Sequence, residues 1–230
     1  MRLTPILALV GTGVLAVPAG ARAGVVTTDM PCYIERQPGT ATLTGFTPNV
    51  DVEIQGDQIY AAGLTDASGS LSLPFTAPLR ETSKPGSDRV VLTARELTGL
   101  APQPAVRAAF RVTSLSFATS GGTRSPKAVR TWTFSGFKPG KPIYGHFRFA
   151  GRTRANHRFG VATAPCGELR RRAPAFPVRG RVSPGTWRVQ VDQRPTYARS
   201  TSPRLATSIT IFTRAAPRAI SLGRVGPGRP

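Results

Sequence analysis

The residues whose types could do chemistry are few, and most lie in the second half of the chain. There are two histidines, His146 and His157, and two cysteines, Cys32 and Cys166. Only two carboxylates, Glu168 and Asp192, follow residue 115. His146, Cys166 and Asp192 can be assembled on paper into a thiol triad, with the sulfur as nucleophile, the imidazole as base and the carboxylate orienting it. The local sequence gives that triad little support. No Gly-x-Ser-x-Gly elbow is present, and His146 sits in the alternating stretch Tyr144-Gly145-His146-Phe147-Arg148, where a packed or surface role is the ordinary one. His146, His157, Cys166 and Glu168 lack the paired close spacing of zinc ligands. Asp66-Ala67-Ser68-Gly69 reads as a hairpin turn before it reads as a calcium loop. No metal or cofactor is expected. A non-catalytic protein is the expectation, with a thiol hydrolase or transpeptidase as the lesser alternative.

Charge is the chemical signal that stands out. Residues 24–115 hold nine acids and seven bases, a net of −2, whereas residues 116–230 hold two acids and 22 bases, a net of +20. Arg2 and Arg22 bring the whole chain to +20. Only four of the 31 bases are lysine, as high-GC coding would produce. Coding bias explains Arg in place of Lys, but not an imbalance confined to one half. The densest clusters are Arg148, Arg152, Arg154 and Arg158, then Arg170, Arg171 and Arg172, followed by Arg179 and Arg181. A field of this kind attracts anionic polymers or membrane surfaces. No motif for base-specific readout of nucleic acid is present.

The start of the chain gives the compartment. Arg2, an apolar run from Leu3 to Val17, the breakers Pro18 and Gly20, and Ala21-Arg22-Ala23 read as a signal peptide over residues 1–23. The apolar run is shorter than the ~20 residues of a spanning helix. A secreted or cell-envelope-associated protein is therefore expected, in a compartment that permits disulfides. Whether Cys32 and Cys166 pair stays open at this point. Export favours the bond, yet an end-to-end tandem in which Cys32 opens the first strand would hold the two sulfurs apart.

No long stretch keeps a helical period. Short alternating stretches recur between Gly/Pro turns: 40–44, 50–54, 71–75, 89–94 and 106–112, then 130–134, 143–149, 188–191 and 206–212. Strands at this spacing predict a β-sandwich. The plan repeats. Gly45-Phe46-Thr47-Pro48 matches Gly136-Phe137-Lys138-Pro139 at a shift of 91, and Asp66 to Leu71 matches Ala164 to Leu169 at a shift of 98. The alternation changes phase near Thr113-Ser114, which turns side chains to the opposite face. The expected organisation is all-β: two tandem immunoglobulin-like β-sandwiches over residues 24–113 and 114–213, the second basic, with a disordered tail over 214–230. Trp132 and Trp187 are expected in the cores.

Gly-Phe-x-Pro before an alternating strand, then Asp-Ala-Ser-Gly-x-Leu, resembles the Ig-like repeats of exported and surface proteins of high-GC bacteria. The stretches 136–144, 165–167 and 185–192 are similar to a group of uncharacterised secreted proteins of that kind. These are turn and core motifs, so the resemblance implies fold rather than activity. The expected function is a secreted, non-catalytic envelope or adhesion module. Its basic second domain would bind an anionic cell-wall polymer or membrane surface through Arg148, Arg152, Arg154, Arg158, Arg170, Arg171 and Arg172. A module that binds a protein partner, as an accessory or inhibitor, is the alternative.

Overall fold

The strands follow the alternation. In 38–44, Gly39, Ala41 and Leu43 are buried while Thr42 and Thr44 are exposed; in 87–96, Val90, Leu92 and Ala94 turn inward. The computed structural model describes residues 24–97, 105–122 and 125–212. The expected signal segment and C-terminal tail lie outside the described residues.

Fifteen strands form among the described residues. The first sandwich comprises β1 (Val25–Thr28), β2 (Cys32–Ile34), β3 (Pro38–Thr44), β4 (Asp51–Gly56), β5 (Ile59–Leu64), β6 (Leu71–Thr76), β7 (Ser87–Glu96) and β8 (Val106–Thr113). The second comprises β9 (Ser116–Ser120), β10 (Val129–Ser135), β11 (Pro142–Phe149), β12 (Arg152–Val161), β13 (Leu169–Pro174), β14 (Gly185–Asp192) and β15 (Arg204–Ile211). In the first, sheet β1-β3-β6 faces sheet β2-β8-β7-β4-β5. In the second, sheet β9-β10-β13 faces sheet β12-β11-β14-β15. The strand order is the same in both, apart from the additional β2, and it is the order of an immunoglobulin-like Greek key. Each sandwich has its own core. Tyr33, Leu43, Ile54, Leu92 and Phe110 fill the first. Trp132, Phe134, Phe147, Phe159 and Trp187 fill the second.

The repeated motifs meet each other in space, which explains why both carry glycine. Gly69 and Gly167 lie in the left-handed region, at φ 75° and 66°. A Cβ on Gly69 would stand 2.0 Å from the Phe46 carbonyl oxygen, and one on Gly167 would stand 1.5 Å from that of Phe137. Each loop therefore packs its backbone onto the Gly-Phe turn of its own domain, at a distance only glycine permits.

Cys32 and Cys166 are bonded, with an S–S distance of 2.01 Å and Cα atoms 5.4 Å apart. The geometric objection raised by the sequence is corrected by the topology. Cys32 opens β2, not the first strand, and β2 runs parallel to β8 with Cys32 opposite Arg111. It therefore lies near the end of β8, where the chain enters the second sandwich. Cys166 sits in the β12–β13 loop, whose end faces the same junction: Ser87 Oγ donates to Glu168 Oε1 at 2.5 Å, and Arg111 Nε donates to Ser87 Oγ at 2.8 Å. Arg80, ion-paired with Asp88, also donates to Ser114 Oγ at 3.2 Å.

Candidate functional site

The sheet β12-β11-β14-β15 turns one face to the core and the other outward. Phe147, Trp187, Val189 and Val191 point in. Period-two alternation then places His146 and Arg148 of β11, and Arg188, Gln190 and Asp192 of β14, on the outer face. Cross-strand register aligns them in rows. Arg148 stands opposite Arg188, which stands opposite Ser208; His146 stands opposite Gln190; Asp192 stands opposite Arg204.

Part of this outer face is covered by the loop 193–203, and what it covers is polar. His146 and Asp192 are fully buried. Asp192 accepts from His146 Nε2 at 3.1 Å, the Arg194 N–H at 2.8 Å, Gln190 Nε2 at 2.6 Å and Thr201 Oγ1 at 3.2 Å. Gln190 Nε2 also donates to the Ala198 carbonyl at 2.8 Å. The other ring nitrogen of His146 faces Asn156 Oδ1 at 2.7 Å. Burial alone would lower the His146 pKa, but the bonds to Asp192 and Asn156 outweigh it and the pKa is raised. Burial alone would raise the Asp192 pKa, but the donors around it, His146 first, lower it. Each partner thus favours the charged form of the other, and Asp192 and Gln190 fasten the loop to the sheet.

Beside this fastening lies an open cleft of about 520 Å³. Arg148, Arg188, Arg199, Arg204 and Tyr197 line it, with Ser208 in the wall. Arg148 is half-buried. Its guanidinium carbon lies 4.2 Å from the Tyr197 ring centroid, and Nη1 donates to Tyr197 Oη at 2.8 Å. Nη2 donates to the Gly151 carbonyl in the tight β11–β12 turn, and Nε has no hydrogen-bond partner. Arg204 donates to the Arg199 carbonyl. Among the described residues, none of these four arginines pairs with a carboxylate; the three salt bridges lie elsewhere.

The other expected arginines form a second group. Arg152, Arg154 and Arg158 are exposed on β12, and Arg170, Arg171 and Arg172 are exposed on β13. Each strand is an edge of its own sheet, and the two edges adjoin on one flank. Their proximity registers on His157, whose pKa is lowered by burial and then by Arg171. Charged edge strands also prevent edge-to-edge pairing with other chains, so a structural role accounts for part of this flank.

Sequence reasoning found Arg148 but missed Arg188, Arg199, Arg204 and Tyr197 as its neighbours. The alternation Arg188-Val189-Gln190-Val191-Asp192 was the available signal for Arg188. The triad His146, Cys166, Asp192 is brought together only in part. His146 and Asp192 meet, while Cys166 is consumed in its disulfide and offers no thiolate. The tryptophans are buried, at 1% and 2% exposure, so neither offers a sugar-stacking platform. No group of three or more metal-ligating side chains forms among the described residues.

No protein-family profile matches the chain, and no curated protein matches it. Several solved structures are similar. One is a tetra-tandem repeat from the extending region of a large adhesion protein, with 17% identity and a TM-score of 0.27, covering 83% of this chain and 50% of that one. The chain thus spans half the length of that structure. Another is the YadV chaperone, with 11% identity and a TM-score of 0.26, covering 81% of this chain and 99% of that one. A third is the E. coli chaperone DraB, with 11% identity and a TM-score of 0.26, covering 79% and 97%.

Proposed function

We propose that the protein is a secreted, non-catalytic Ig-like envelope module whose second sandwich adheres to anionic cell-wall polymer or membrane surface. The observation that carries this reading is the absence of charge compensation. The second half has 22 bases and two acids, and the structure occupies both acids. Asp192 is buried against His146, and Glu168 accepts from Ser87 at the junction. No exposed carboxylate remains on the second sandwich to screen Arg152, Arg154, Arg158, Arg170, Arg171 and Arg172, and a field of one sign draws anions over a Debye length of about 8 Å at physiological salt.

The test is co-sedimentation of the mature protein with isolated cell walls and with anionic vesicles. Replacing Arg152, Arg154, Arg170 and Arg172 by Gln should weaken retention strongly. Replacing the exposed first-domain residues Arg89 and Arg107 should not. Retention should fall steeply between low and high salt, since attraction of this kind releases counterions. Equal loss from both sets, or retention that ignores salt, would reject the proposal.

A further inference from the structure

Two arginines directly opposite each other on neighbouring strands repel, and such pairs destabilise a sheet. Arg148 and Arg188 are such a pair. Edge protection does not explain them, because β11 and β14 are the two inner strands of their sheet. Solubility does not explain Arg148 either. It calls for exposed charge, whereas Arg148 is half-buried, stacked on Tyr197, with an unpartnered Nε. The buried Asp192 network brings two more cationic side chains to the same place. It fastens the loop that carries Tyr197 and Arg199, and Arg204 stands opposite Asp192 at the loop's end. The arrangement is therefore positioned from beneath by a polar core cluster rather than scattered over a surface.

We infer that the cleft between β11, β14, β15 and the loop 193–203 is a discrete binding site for a group carrying two or more neighbouring phosphates. This deepens the polyanion reading and rests on it. The ligand class follows from the donors. A single carboxylate offers two oxygens, which one guanidinium fork satisfies. Here Arg188, Arg199 and the uncommitted nitrogens of Arg204 can donate, and Arg148, whose Nη1 and Nη2 are held by Tyr197 and Gly151, adds its charge. Such a set is matched by a group with several non-bridging oxygens and more than one negative charge, as on adjacent phosphates. Arginine suits such oxygens because its planar fork donates two parallel hydrogen bonds and its weak hydration lowers the cost of burying it. The cleft volume of about 520 Å³ falls within the range of small-ligand sites. Its shape is that of an open trough, so the group can belong to a longer chain or to a headgroup.

The experiment is calorimetric titration of the full mature chain with inorganic tripolyphosphate, with sulfate and acetate at matched ionic strength as comparison anions. A second arm uses vesicles doped with a lipid diphosphate, to separate a soluble source from a membrane source. Saturable binding of one tripolyphosphate is expected, weakened about tenfold or more in R188Q by the loss of charge-assisted hydrogen bonds. Arg188 is exposed, so this variant tests the site without removing core packing. R148K keeps the charge but loses the fork and the stacking, and should weaken binding as well. R152Q with R154Q on the flank should change tripolyphosphate affinity no more than twofold while reducing cell-wall retention. If walls are retained but tripolyphosphate binding is unsaturable, or R188Q acts no more strongly than the flank variants, the discrete site is overturned and the polyanion reading stands. Failure of both assays rejects both. Tighter binding of a sulfated disaccharide than of tripolyphosphate overturns the phosphate assignment, as does equal binding of vesicles with and without the lipid diphosphate.

Discussion

Arg148 on β11 and Arg188 on β14 face each other in antiparallel register on the outer side of a four-stranded sheet, with no carboxylate paired to either. Their repulsion is a cost that the unliganded protein bears. R188T is therefore expected to stabilise the second sandwich by about 0.2–1 kcal/mol, the range for cross-strand pairs, even as it weakens anion binding. Urea denaturation of both proteins at low salt measures it. Added salt should close the gap, since screening relieves the wild-type repulsion. A variant less stable than wild type at low salt would show that another contact holds the pair.

His146 and Asp192 set the sign of a pH dependence. The lowered Asp192 pKa contributes stability that is present above the usual carboxylate value and lost as pH falls through the lower folded value. The raised His146 pKa contributes stability that is full below the usual imidazole value and lost as pH rises through the higher folded one. The pair is thus strongest between those limits, in mildly acidic solution. His157, lowered by burial and by Arg171, works in the opposite sense and costs stability in acid. Comparing wild type with H146Q removes the His157 contribution, which both share. The stability difference between them should be larger near pH 5.5 than near pH 8.5, because the contribution of a raised imidazole pKa declines as pH climbs above the usual imidazole value. A difference that grows toward pH 8.5 would mean the ring is neutral in the folded protein.

Glycine at 69 and 167 is required by contact as well as by φ. G167A would drive a Cβ to 1.5 Å from the Phe137 carbonyl oxygen, and G69A to 2.0 Å from that of Phe46. Each should cost about 2 kcal/mol or more, since the left-handed conformation and a backbone clash add. Gly140 has a φ of 74°, but a Cβ there would meet nothing within 4 Å. It carries only the conformational cost, so G140A should lose about 1–2 kcal/mol. Thermal denaturation of the three variants ranks them, and equal losses would remove the contact argument.

The disulfide closes a sequence separation of 134 residues. The chain-entropy relation gives about 5 kcal/mol for a loop of that length, and measured removals cost about 2–5 kcal/mol. C32S with C166S should lower the urea midpoint accordingly, and the unreduced wild type should react with no thiol-specific reagent. Two titratable thiols in the native protein would refute the bond.

Much of the fold was legible because half-buried strands announce themselves by alternation. β3, β7, β8, β10 and β14 could be read directly. β12 could not. It carries two register irregularities against β11, and its outward positions are nearly all polar, so it showed in the sequence only as a run of arginines. β2 was hidden by its length of three residues, and with it went the correct placement of Cys32. The cleft was the least legible feature. Arg188 lay in a visible alternation, but Arg199 and Tyr197 reach the cleft through a loop whose path is set by hydrogen bonds of Arg194, Ala198 and Thr201 with Asp192 and Gln190, two residues on the strand before it. Nothing local in 193–203 foretells those bonds.

The bond between Cys32 and Cys166 also decides how the molecule answers to pulling. Tension applied between residue 24 and residue 212 enters through β1, crosses from one sulfur to the other, and leaves through β13, β14 and β15. The covalent load path bypasses everything from residue 33 to residue 165, including the strands β3 to β8 of the first core, which feels tension only through the ladders that pair it with the loaded strands. Stretching can then peel only the two outer stretches of chain. Cutting the bond would put the 134-residue separation back in series, an added reach on the order of 450 Å at ~3.5 Å per residue. An oxidised molecule is thus a short, stiff tether, and a reduced one a long, yielding tether.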